Sequence, residues 1–133
     1  MDKKQLIQLA VEIRKNAYAP YSKHQVGAVL VTKSGKVFTG VNVENCAYSS
    51  ACAEKVAIYK AISEGEKEFS LLVVATASSD FSFPCGFCRQ VIAEFCKDLE
   101  IIATNPSGKY QTKFFRELYP FPFSPAELHK GQE

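Results

Sequence analysis

No apolar run in this chain approaches the eighteen or so residues that a membrane-spanning helix needs. Its opening, Met1-Asp2-Lys3-Lys4-Gln5, lacks the apolar core of a secretory leader. No stripe of clustered Lys and Arg runs along it; the net charge is +2 with both signs interspersed, so the electrostatic footprint of a nucleic-acid binder is missing. The short basic spots at Lys3-Lys4 and at Lys33 and Lys36 read as solvated faces. Internal repeats, low-complexity tracts and linkers are absent as well. These absences lead us to expect one soluble, cytoplasmic domain over residues 1–133, with neither membrane nor nucleic acid as partner. A chain of this size buries roughly two-thirds of its extended surface.

Five cysteines without a secretory leader argue against a disulfide framework. The decisive pattern is Cys52-Ala53-Glu54 followed by Pro84-Cys85-Gly86-Phe87-Cys88. Cys85 and Cys88 are three apart, so on the first turn of a helix both sulfurs point the same way. With Cys52 they offer three thiolates to one zinc ion. Structural zinc sites are usually closed by four protein ligands, whereas catalytic sites use three and keep the fourth position for water. Glu54 is two positions from Cys52, which on a helix carries it away from that sulfur. That makes it an awkward fourth ligand and suits an acid/base beside the site.

The two remaining cysteines read differently. Cys96 lies about 12 Å beyond Cys88 at the 1.5 Å rise of a helix, too far to share its metal, and suits a small buried hydrophobe. Cys46 sits on the loop leading into Cys52 and stays open as a fourth ligand, which would make the site structural.

Hydrophobic periodicity places these motifs. Asp2 is a suitable N-cap for a helix to about Ala17, with Leu6, Leu9, Ala10, Ile13 and Ala17 on one stripe. Residues 25–32 and 37–43 read as β-branched strands joined by the turn Lys33-Ser34-Gly35-Lys36. Asn42 and Glu44 stand at period two, so their side chains leave the strand end on one face. A helix follows from near Cys52 to Glu64, with Gly65 as its C′ residue. Residues 71–76 are continuously apolar, as in a strand covered on both faces. The second cysteine pair opens a helix over about 86–97. Strands at 100–103 and 109–114, a short helix at 115–118 and a Pro-rich aromatic tail complete the chain. Strands alternating with helices imply a three-layer α/β fold, and the initial hairpin makes its sheet mixed. All three sulfurs would then lie at helix starts, where free N–H groups and the positive dipole end favour thiolate.

The cysteine pattern is the signature of zinc-dependent deaminases: His or Cys, one residue, Glu, then Pro-Cys-two residues-Cys. With Ala19-Pro20-Tyr21-Ser22, Val26-Gly27-Ala28, Asn42-Val43-Glu44-Asn45 and Arg89-Gln90-Val91 in order, the chain resembles the small cytidine deaminases of nucleoside salvage from about Ala19 to Leu128. The resemblance implies a three-layer αβα fold with about five strands and both cysteine-bearing helices on one face. It implies one Zn2+ per subunit on Cys52, Cys85 and Cys88, with Glu54 serving first as base and then as acid. It also implies a base contact from the Ala53 N–H, and Asn42 and Glu44 at the 3′-hydroxyl region of the nucleoside. A homotetramer with sites between subunits follows, in which Phe123 stacks on the base in a neighbour's site and Tyr48 also reaches across.

The chain departs from the family pattern in four places. Lys55 stands where an Arg usually follows the catalytic Glu. Three thiolates around Zn2+ sum to −1, and an ammonium supplies charge without a planar fork, so Arg89 is expected to share the compensation. His24 stands where Phe is expected; it can stack on a substrate or add a pH-sensitive donor. Phe83 replaces the Ser that commonly precedes Pro-Cys, and the stretch from Asn42 to Cys52 is one residue short. The activity this implies is hydrolysis of cytidine and deoxycytidine to uridine and deoxyuridine in pyrimidine salvage. Two rivals remain: a deaminase of a nucleoside antibiotic such as blasticidin, and a noncatalytic zinc module closed by Cys46. A deaminase of polynucleotides would need a basic groove that this chain lacks.

Overall fold

The computed structural model describes residues 1–132; Glu133, the last residue of the expected domain, lies outside the described residues. In chain order the elements are α1 (Lys3–Ile13), β1 (Gly27–Thr32), β2 (Val37–Val41), β3 (Val43–Glu44), β4 (Ser50–Ala51), α2 (Ala53–Ser63), β5 (Phe69–Ala75), α3 (Gly86–Phe95), β6 (Glu100–Thr104), β7 (Tyr110–Phe114), α4 (Phe115–Leu118) and α5 (Pro125–Lys130). Five strands form one sheet in the order β2-β1-β5-β6-β7, and β3 and β4 form a separate ribbon. Within the large sheet β5 and β6 run parallel while every other neighbouring pair is antiparallel.

The period of two along the strands divides the core into two. On one face Ala28, Leu30, Leu72, Val74 and Ile101 pack against Ala57, Ile58 and Ala61 of α2 and Ile92 and Ala93 of α3. On the other, Val29, Leu71, Val73, Ala75 and Ile102 meet Leu6, Ile7 and Ala10 of α1. The expected three-layer mixed sheet is therefore present, with both cysteine-bearing helices on the same face. Because β5 is covered on both sides past Ser70, its sequence from Leu71 to Ala75 is continuously apolar rather than alternating.

Local chemistry sets the element ends. Asp2 and Gln5 cap α1 reciprocally, at 2.8 and 2.9 Å. The helix stops at Ile13 rather than near Ala17, because Arg14–Asn16 tighten into a 3₁₀ turn closed by Ala17 N–H on the Arg14 carbonyl at 3.1 Å. Its buried stripe also includes Ile7, while Leu9 is only partly covered. The expected 37–43 strand breaks at Asn42, whose side-chain carbonyl accepts from Val26 N–H at 2.8 Å. Past that break the chain pairs β3 with β4 and leaves the large sheet.

At the end of α2, Gly65 takes φ +88 and donates to the Ile62 carbonyl at 3.0 Å, while Glu66 N–H reaches Ala61 at 2.9 Å. Gly40 governs how deeply α2 sits. A Cβ there would fall 2.3 Å from the Ala53 carbonyl oxygen and 2.6 Å from Ala57 N, so only hydrogen lets this helix lie against β2. The Pro-rich aromatic tail, to which no element was assigned, contains α5, begun by Ser124 and by Pro125 at its first position, a start signal present in the sequence. No helix among the described residues is long and apolar enough to cross a membrane.

Candidate functional site

Cys52 is the N-cap of α2, Cys85 is the N-cap of α3, and Cys88 lies in the first turn of α3. Packing the two helices on one face brings residues 33 and 36 positions apart to a single point. The three sulfurs lie within 4.8 Å of one another, with Cys52 and Cys85 at 4.0 Å. A tetrahedral zinc ion about 2.3 Å from each sulfur would separate them by roughly 3.8 Å, so this trio fits one such ion.

The thiols differ in their surroundings. Burial pushes Cys52 up, as does the neighbouring charge of Cys85. Cys88 is pushed up further, first by burial and then by Glu54 and the other two sulfurs. Cys85 is also raised by burial, but the amides of Cys88 and Phe87 and the adjoining thiols outweigh that, holding it below the ordinary thiol range. Three thiolates this close repel one another unless a cation sits between them.

Glu54 occupies the first turn of α2 and is only 5% exposed. Its carboxylate is outside the sulfur cluster, yet it lines the same cleft as Cys52 and Cys85. Burial raises its pKa, partly offset by its own backbone N–H. Ala53, fully buried, is the first helical residue, where backbone N–H groups have no partner within the helix.

The cleft measures about 270 Å³ and continues from Cys52, Glu54 and Cys85 to Ser22, His24, Asn42 and Glu44, with Phe83 in its wall. The Asn42 side chain accepts from Val26 N–H and donates to the His24 carbonyl, at 2.8 Å each. Glu44 accepts from Tyr21 N–H at 3.0 Å, from Ser22 N–H at 3.1 Å and from the Ser22 hydroxyl. The Ser22 hydroxyl, foremost, and these amides hold the Glu44 carboxyl below the ordinary carboxylate range. Tyr21 and Ser22 entered the sequence reading only within the Ala19-Pro20-Tyr21-Ser22 motif and without a role at the site, since nothing in a spacing of 22 or 23 residues announces the contact. Val74 and Thr76, at the end of β5, also line the cleft.

Other expected residues lie elsewhere. The Lys55 ammonium is 6.0 Å from the centre of the Phe87 ring. Arg89 donates from Nε to the Pro84 carbonyl at 2.7 Å and from Nη1 to the Leu118 carbonyl at 2.8 Å, tying the approach to Cys85 to the end of α4. Tyr48 is 86% exposed on the β3–β4 turn, with φ 59, its ring edge-on to Tyr21. That turn is closed by Asn45, whose side chain accepts from Ala47 N–H and donates to Ser49. Phe123 lines a separate cleft of about 840 Å³ beside Phe115, Tyr119 and Phe121, which contains none of the cysteines. Cys46 is exposed and outside the sulfur cluster, so the fourth-ligand reading does not hold here. Cys96 packs against the core, as a small hydrophobe would.

A family model of the cytidine and deoxycytidylate deaminase zinc-binding region matches residues 1–104. Over its whole length the chain is 41% identical to the cytidine deaminase of Sporosarcina psychrophila and covers 99% of that protein. It is 31% identical to the blasticidin-S deaminase of Bacillus cereus, over 90% of this chain and 91% of that one. Its backbone superposes on the crystal structure of cytidine deaminase from Burkholderia pseudomallei with a TM-score of 0.88 at 41% identity, across 92% of this chain and all of that one.

Proposed function

The chain belongs to the cytidine deaminase family, and from that premise we propose that it hydrolyses cytidine and deoxycytidine to uridine and deoxyuridine in pyrimidine salvage. One observation carries the reading above all: three convergent sulfurs at two helix starts, with a buried carboxyl in the same cleft. Cys52, Cys85 and Cys88 would hold one Zn2+, which when bound lowers the pKa of a water toward about 7 and so supplies the nucleophile.

The remaining work falls to side chains of this protein. Glu54 takes one proton from the attacking water and delivers it to N3 of the cytosine ring as the water oxygen bonds to C4. It then carries the second water proton to the amine, which leaves as ammonia when its bond to C4 breaks. A carboxyl whose pKa is raised by burial suits a group that must both accept and donate near neutral pH. The Ala53 N–H donates to the base, and Asn42 and Glu44 hold the sugar near its 3′-hydroxyl, with His24 beside them. Lys55 and Arg89 are the cations assigned to offset the net −1 of the thiolate site, Arg89 from its anchor on the Pro84 carbonyl that precedes Cys85.

Homotetrameric assembly belongs to the same proposal. Tyr48, Phe121 and Phe123 are 86, 92 and 48% exposed, and rings this bare support a reading in which a neighbouring copy covers them. In that assembly Tyr48 and Phe123 complete a partner's cleft. We also infer a single domain working in the cytoplasm, a location consistent with a centre that needs reduced thiols.

The test is Glu54→Gln. The variant should keep its zinc and lose turnover, followed by ultraviolet absorbance as cytidine becomes uridine; near-normal activity would overturn the mechanism. A substrate panel of cytidine, deoxycytidine, CMP and blasticidin measures the rival specificity that the Bacillus cereus relative brings forward.

A further inference from the structure

Glu44 enters the cleft already engaged. A carboxylate offers about four acceptor positions, and three are filled from within the chain. Oε1 takes the N–H groups of Tyr21 and Ser22 at 3.0 and 3.1 Å, and Oε2 takes the Ser22 hydroxyl. One position remains, on Oε2. The Ser22 hydroxyl is itself oriented, because its oxygen accepts from His24 N–H at 3.0 Å and its proton is thereby turned toward Glu44. Ser22 lines the cleft alongside Glu44 but lies on the segment before β1, across from the β3 residue that it holds.

We propose that Ser22 is a positioning residue for sugar recognition: with the two amides it locks the Glu44 carboxylate so that a single acceptor position faces the substrate and reads one hydroxyl. This rests on the sugar-binding role assigned to Glu44 above. One free acceptor predicts a site that treats cytidine and deoxycytidine alike, since both carry the 3′-hydroxyl and only one carries the 2′. Because the hydroxyl being read is on the sugar, away from the ring atoms that react, the contact is made alike in bound substrate and transition state. Its loss therefore raises KM and leaves kcat nearly unchanged.

The experiment compares the zinc-loaded wild type with Ser22→Ala, Ser22→Thr and Glu44→Gln on cytidine, deoxycytidine and 3′-deoxycytidine. Ser22→Ala should raise KM about tenfold for the first two substrates, in keeping with loss of a hydrogen bond to a charged group. On 3′-deoxycytidine, which lacks the hydroxyl being read, its KM should change less than about twofold. Ser22→Thr, which restores the hydroxyl, should recover most of the lost affinity. A merely structural role would lower activity on all three substrates together and would overturn the proposal. So would a Ser22→Ala penalty that persists on 3′-deoxycytidine, or one that disappears on deoxycytidine.

Glu44→Gln separates this inference from the reading beneath it. If Glu44→Gln discriminates between cytidine and 3′-deoxycytidine but Ser22→Ala does not, Ser22 is not the positioning residue. If Glu44→Gln itself fails to discriminate, the sugar-binding assignment falls, and the proposal with it.

Discussion

Replacing Gly40 with Ala tests how this fold places its chemistry. Gly40 lies on β2, yet the atoms that an added Cβ would strike belong to α2: Ala53 O at 2.3 Å and Ala57 N at 2.6 Å. Both are backbone, so no side chain can swing aside. Restoring ordinary contact requires the first turn of α2 to retreat by about 1 Å, and that turn bears Cys52, Ala53 and Glu54. Overpacking of this kind costs about 1–3 kcal/mol, which in a chain of this size lowers Tm by roughly 4–12 °C. A shift of about 1 Å at reacting groups can reduce turnover on the order of a hundredfold. Gly86 supplies the control, because it adjoins Cys85 but a Cβ there meets nothing within 4 Å. Calorimetry, zinc content and cytidine turnover, measured side by side, should show Gly40→Ala destabilised and slowed while Gly86→Ala stays near wild type. Equal behaviour of the two variants, or a wild-type Gly40→Ala, would refute the claim that this close approach sets the depth of the site.

Glu54→Gln should lower kcat by about 10²–10⁴, the usual contribution of a general acid/base, with zinc content unchanged by elemental analysis. Adding zinc to metal-free protein near pH 7 should release protons, because burial keeps Cys52 and Cys88 protonated and metal ligation requires thiolates; calorimetric heats that do not vary with buffer ionisation would contradict this. The Glu44 carboxyl has a folded pKa below its ordinary 4.5, so its stabilising contribution is complete above that value and is lost as pH falls through the lower folded one. Acid unfolding of Glu44→Gln should accordingly be less steep below about pH 4.5 than that of the wild type, whereas an identical slope would discount the hydrogen bonds from Ser22 and Tyr21.

Much of the architecture was legible because its signals are local. The apolar run of β5, the hairpin turn at Gly35 and the C′ glycine at Gly65 each depend on neighbours a few residues away. Errors arose where a longer contact overruled the local pattern. The 37–43 strand breaks because Asn42 bonds to Val26 and His24, sixteen and eighteen residues away. Missing α5 had a different cause: its Ser124-Pro125 start was in plain view beneath the aromatic, Pro-rich composition around it.

The sequence alone determined the chemistry on offer: three thiolates, a carboxyl beside the first, and the helix starts that carry them. Residue type and spacing of three or fewer are sufficient for that, since one helical turn dictates where such side chains point. Only the tertiary structure decided which distant groups meet. It brought Cys52 to within 4.0 Å of Cys85, left Cys46 outside the cluster, turned Lys55 toward Phe87 and locked Glu44 against Ser22. Those outcomes depend on how two helices pack on one sheet face and on the missing Cβ at Gly40, distances that no spacing along the chain encodes.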